Sequence, residues 1–168
     1  MRRIISMLLA NEAGALARVA GMFSARGYNI DSLTVATTHD AAVSRLTLVT
    51  AGDDVVIDQI IKQSRKLVDV IEIADLTKRA HLECELLIVK VAVTHGKGSQ
   101  VVACLRLHPR AVFLDEGESA RTIQFTGTGE EINAFLSELA ATAQILELAR
   151  SGTAVLDCGE RVLSDVAA

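Results

Sequence analysis

The sequence predicts an α+β protein made of two tandem domains with the same element order, β-α-β-β-α-β. Three observations carry this. Apolar residues alternate between a period of two and a period of 3.6 in that order over roughly the first 76 residues. The same order recurs from Cys84 to Leu148. Half of the 168 residues are apolar but only four Phe, one Tyr and no Trp are present, so two small aliphatic cores must be built from Ile, Leu, Val and Ala.

The first strand is read over Ile4–Leu9. Asn11-Glu12-Ala13-Gly14 is a polar loop, and Leu16, Val19, Ala20 and Phe23 then mark one helix face until Arg26-Gly27 stops it. Leu33, Val35 and Thr37 alternate with small polar residues in a second strand, Thr38-His39-Asp40 turns the chain, and Val43–Thr50 is a β-branched third strand. Asp53 or Asp54 caps a helix whose apolar face is Val56, Ile57, Ile60 and Ile61. A fourth strand is expected over Val68, Val70, Ile71 and Ile73.

The stretch 76–82 is polar, and the domain boundary is placed there, giving domains 1–77 and 82–151 followed by a tail, 152–168, expected to be weakly patterned and partly mobile. The second domain opens with a long strand, Cys84–Val93. Gly96-Lys97-Gly98 is a loop, Ser99 a cap, and Val101, Val102 and Leu105 a short helix ending near His108, ahead of Pro109. Strands follow at Ala111–Leu114 and Arg121–Phe125. Thr128 and Glu131 form a capping box for a helix with Ile132, Phe135, Leu136 and Leu139 inward, and Gln144–Leu148 is the last strand. A β-α-β-β-α-β chain closes into a ferredoxin-like unit, a four-stranded antiparallel sheet with both helices on one face. Its other sheet face must be covered or polar, and pairing with another copy is a natural cover.

Several function classes are disfavoured. A net charge of -4 gives no footprint for nucleic acid. The N-terminal Met1-Arg2-Arg3 precedes too short an apolar run for a signal peptide, and no stretch approaches the roughly 20 residues of a membrane helix. Cys84, Cys104 and Cys158 are odd in number and lack CxxC spacing, which points to a reducing, cytoplasmic compartment and away from zinc. His39, His81, His95 and His108 show no HExxH or paired helical spacing, so no metal site is expected. Cys104 reads as a core cysteine. Gly96-Lys97-Gly98-Ser99 lacks the glycine spacing of a phosphate loop, and Glu83 and Glu85 read as a solvated strand face. No nucleophile elbow or SxxK occurs, so no catalytic residues are assigned.

Two loops stand out. In Asn11–Gly14 an amide side chain and a glycine precede a helix start, whose N–H groups favour a carboxylate. In Gly27-Tyr28-Asn29-Ile30 a helix stop explains the glycine but not an asparagine opening an apolar strand.

The run Arg2 to Val19, and above all Arg26-Gly27-Tyr28-Asn29-Ile30-Asp31-Ser32-Leu33, resembles the small regulatory subunit of acetolactate synthase. Lys66-Leu67-Val68-Asp69-Val70, Arg79-Ala80-His81, Leu87-Ile88-Val89-Lys90 and Glu147–Gly152 extend the likeness over roughly residues 2–152, densely in the first half. The resemblance implies that the first domain is an ACT domain, an amino-acid-binding ferredoxin-like module. It implies a homodimer through that domain and a large catalytic partner subunit that this chain activates. It further implies feedback inhibition by valine, one of the branched-chain amino acids. Thiamine diphosphate, Mg and FAD would belong to the catalytic subunit, and none to this chain. Asn11 and Gly14 fall on the loop holding the effector's polar end, and Asn29 and Ile30 on the strand given by the partner. Ala17, Ala36 and Gln59 match positions tied to feedback sensitivity. Ala17 departs from a frequent serine, while Leu105–Ala111 and the acidic Asp115-Glu116-Gly117-Glu118 depart from the pattern of the second domain. The competing readings are a stand-alone ACT-domain sensor acting on another enzyme, an enzyme on the same fold, and a transcriptional regulator. The last lacks a basic helix-turn-helix segment.

Overall fold

The computed structural model describes residues 1–93 and 98–163. They form two compact units, Met1–Leu82 together with the segment from Thr153 on, and Glu83–Gly152.

The first unit contains β1 (Arg2–Ala10), α1 (Ala15–Ala25), β2 (Ser32–Thr37), β3 (Val43–Ala51), α2 (Asp54–Ser64) and β4 (Val70–Asp75). The sheet order is β2-β3-β1-β4, with every neighbouring pair antiparallel. Central β1 is buried from Arg3 to Leu9, on both faces, and its apolar residues are interrupted only by Ser6. Ile5, Met7 and Leu9 face the helices and pack with Leu46, Leu48 and Ile73, with Val19, Met22 and Phe23 of α1, and with Ile57 and Ile60 of α2. Burying each such side chain contributes about 1.5–3 kcal/mol. Asp53 caps α2 by accepting from the Val56 N–H at 2.9 Å.

Two inward assignments change. Leu16 is 42% exposed, and Met22 takes its place in the core with Ala15 beside it. Val68 is 91% exposed and precedes β4, because the turn Leu67–Val70 is closed by a backbone bond from the Val70 N–H to the Leu67 carbonyl.

The far face of this sheet is covered by the chain's own later residues. The segment expected as a weakly patterned tail carries the strand β9 (Ala154–Asp157). Val155 is buried against Ile4, Val49, Ala74 and Leu76, with Leu163 packed on the same cluster. Beside it the Cys158 N–H donates to the Ala80 carbonyl at 2.9 Å.

The second unit is built from β5 (His81–Ala92), α3 (Gly98–Arg106), β6 (Val112–Glu116), β7 (Ala120–Gly127), α4 (Gly129–Thr142) and β8 (Ile145–Arg150). The sheet order β6-β7-β5-β8 repeats the first, and β9 also pairs with β5, whose opening residues belong to the first unit. Leu87, Val89, Val91, Val101, Ile123, Phe125, Ile132, Phe135 and Leu139 form the core. The Thr128–Glu131 capping box is complete in both directions. Arg110 pairs with Glu131, and this contact first, with the Thr128 N–H second, holds the Glu131 carboxyl down at about 2.

Ser99 lies inside α3 rather than capping it, since the helix begins at Gly98. His95 and the Gly96-Lys97 loop lie outside the described residues. Glu85 is not solvated. It is 3% exposed and holds Arg150 through two bonds of 2.7 and 2.9 Å.

Candidate functional site

The Asn11–Gly14 loop is held by backbone geometry. The Ala10 N–H donates to the Asp69 carbonyl at 2.8 Å, the Asn11 N–H to Ala42 at 2.7 Å, and the Ala15 N–H to Glu12 at 3.2 Å. Gly14 is the N-cap of α1 with φ +89°, a left-handed conformation that glycine adopts without strain. A Cβ there would stand 2.8 Å from Arg18 Nη1. No side chain caps the first turn of α1, so apart from the Ala15 N–H, which Glu12 takes, its leading N–H groups form a donor array at the positive end of the helix.

Arg18 crosses from α1 to Asp69, donating to both carboxylate oxygens, one bond being 2.6 Å. That bond holds the Asp69 carboxyl below its usual range, and Asp69 in turn raises the Arg18 guanidinium. Asn11 donates Nδ2 to the Ala41 carbonyl at 2.9 Å and accepts at Oδ1 from Ser44 Oγ at 3.1 Å. An amide carries two donors and two acceptor lone pairs, so one of each is left for a ligand.

Asn29 and Ile30 lie at the other end of the sheet. The Asn29 carbonyl accepts from Thr50 Oγ1, its side chain donates to Asp31, and Ile30 packs on the first core. Asn11 is tied to Ser44 and Asn29 to Thr50, six residues further along β3, a separation of about 20 Å at strand rise. One chain therefore does not bring the two loops together.

Gln59 belongs to the Asn29 end. Its Oε1 accepts from the Tyr28 hydroxyl at 3.2 Å, and the Tyr28 ring meets Phe23 edge-on at 6.0 Å. Ala17 is exposed in the first turn of α1, near Gly14. Ala36 pairs with Arg45 across β2 and β3 and lines a cavity of about 700 Å³ on the sheet face away from the helices. No local pattern around Ala36 signals that cavity, because its outer wall is Leu156–Leu163, over a hundred residues further along the chain.

Tandem ferredoxin-like units, the first with an uncapped helix start beside a left-handed glycine, are the architecture of the ACT-domain class. Residues 5–72 match a family described as the AHAS small subunit-like ACT domain, and residues 84–159 one described as the small subunit of acetolactate synthase. The chain belongs to the acetolactate synthase small-subunit family. It is 45% identical over 163 residues to the acetolactate synthase isozyme 3 small subunits of Salmonella typhimurium and of Escherichia coli, covering 97% of this chain and 99% of each relative. A small-subunit crystal structure from Thermotoga maritima superposes with a TM-score of 0.85 at 28% identity, covering 96% of this chain and 99% of that one. No helix among the described residues is long and apolar enough to cross a membrane.

Proposed function

We propose that this chain is the non-catalytic regulatory subunit of a cytoplasmic acetolactate synthase. It activates a large catalytic subunit, which holds the thiamine diphosphate, Mg and FAD, and it confers inhibition by valine. The relatives' names support the partnership. The observation that carries the effector site is the separation of the two loops by the length of a strand.

β2 lies at an edge of its sheet, and Val35 on it is 38% exposed. Antiparallel pairing of β2 with β2 of a second copy sets Ser32 of one against Thr37 of the other. Asn29 and Ile30 of the partner then arrive beyond Thr37, beside the turn to which Asn11 is bonded. A twofold axis makes two such sites, each using both copies. In each, valine's carboxylate faces the N–H groups behind Gly14, its ammonium meets the oxygens of Asn11 and of the partner's Asn29, and its isopropyl group rests on the partner's Ile30. Exposed Ala17 leaves room beside the helix start.

The test is reconstitution. The pure chain shows no acetolactate formation, raises the turnover of its cognate large subunit, and makes that turnover sensitive to valine. Synthase activity of the chain alone, or a holoenzyme indifferent to its presence, overturns the proposal.

A further inference from the structure

We propose that Cys104, His108 and Glu138 form a binding site for a borderline-soft divalent transition ion, Zn2+ foremost, on the helical face of the second unit. Cys104 lies in α3, and His108 follows two residues after its end. The His108 N–H donates to the Leu105 carbonyl at 3.0 Å, closing a tight turn just past the helix that keeps His108 near Cys104. Glu138 comes from α4. The thiol sulfur, an imidazole nitrogen and a carboxylate oxygen all lie within 4.8 Å of one another.

The histidine ring is fixed. It meets Phe135 edge-on at 5.0 Å and Phe125 at 5.9 Å, and its Nε2 is 2.8 Å from Glu138 Oε2. Metal–ligand lengths of about 2.0–2.3 Å in a tetrahedron put donor atoms roughly 3.3–3.6 Å apart. Seating the ion therefore needs the His108–Glu138 pair opened by roughly half an ångström and the sulfur drawn in by up to about an ångström. Glu138 can supply this, since half of its side chain is in solvent.

The donor set selects the metal. Thiolate and imidazole suit Zn2+ and its neighbours, whereas Mg2+ and Ca2+ require oxygen shells. Thiolate and carboxylate together balance the ion's charge. A cavity of about 410 Å³ adjoins the group, bounded by Gln100, Leu107 and Thr142, and leaves a fourth position for water or for Gln100, one turn before Cys104. Such an ion joins α3 to α4, a staple for a small domain with a thin core.

The experiment is Co2+ titration of the metal-free full chain, followed by Zn2+ competition. The expected result is saturation at one equivalent, with a thiolate-to-cobalt charge-transfer band and tetrahedral visible bands that Zn2+ abolishes. C104S loses the charge-transfer band. H108Q and E138Q, changed at partly exposed positions so that folding is spared, bind at least about tenfold more weakly. No charge-transfer band in the parent, a band that survives in C104S, or unchanged affinity in both H108Q and E138Q overturns the site.

Discussion

Because the proposed effector site draws on two loops at opposite ends of one sheet, damage in one copy should be complemented by the other. Asn29→Ala removes an exposed amide whose side-chain partner is Asp31, two residues away, so stability changes by no more than about 0.5 kcal/mol. Asn11→Ala removes bonds to Ala41 and Ser44 and costs about 1 kcal/mol. Each variant alone loses a hydrogen bond to a charged effector group, worth about 1.5–3 kcal/mol, so valine binds roughly 10- to 150-fold more weakly in either homodimer. Mixed in equal amounts and allowed to exchange, half of the dimers are hybrids. One site of each hybrid carries both substitutions and the other carries neither. About a quarter of all sites then regain the parent affinity. Calorimetric titration of the mixture reads this directly as a tight phase absent from both components. A mixture that binds as the average of its components, although mass spectrometry shows the hybrid, refutes a site shared between copies.

Gly14→Ala places a side chain at φ +89° and is expected to cost about 1–2 kcal/mol, lowering Tm by roughly 4–16 °C; an unchanged Tm would mean that the loop is free to relax. Glu131 has a folded pKa lowered from 4.5 to about 2, so the stability it contributes is complete above its unfolded value and is lost as pH falls from about 4.5 toward 2. Urea titrations should therefore show the parent's advantage over Glu131→Gln at neutral pH shrinking across that window and absent below it. Glu85→Ala strips Arg150 of its buried partner, and with Arg150 one-third exposed and able to rehydrate, a loss of about 1–3 kcal/mol in urea unfolding is expected.

Local rules made most of the fold legible. The Thr128–Glu131 box and the Asp53 cap are short-range devices written in consecutive residues, and both form. Central β1 announced itself by the apolar residues Ile4 to Leu9, broken only by Ser6. What local reading missed depends on partners far along the chain. Glu85 is buried because Arg150, 65 residues on, neutralises it. Cys104 and His108 stand four residues apart in the sequence, but the Glu138 that meets them comes from another helix. Leu16 has a place in the apolar period yet stays outside, since the buried face of α1 runs through Ala15, Val19, Met22 and Phe23. Of the two candidate loops, the residue types were readable from the sequence. Their separation was not, because it follows from the register of β3 with its neighbours.

The packing of Val155 from β9 on the face of the first sheet makes the second unit an insertion within the first. A ribosome releases Ile4, Val49, Ala74 and Leu76 early, but the Val155 that covers them only after all of Glu83–Gly152 has been made. For that interval the nascent chain carries an uncovered greasy sheet face, open to chaperones or to the same face of a neighbouring nascent chain. A segment cut out at the boundary, residues 1–82, keeps that defect for good. Joining Leu82 to Thr153 through a short linker, with the second unit excised, is the way to obtain the ACT domain with its own lining in place.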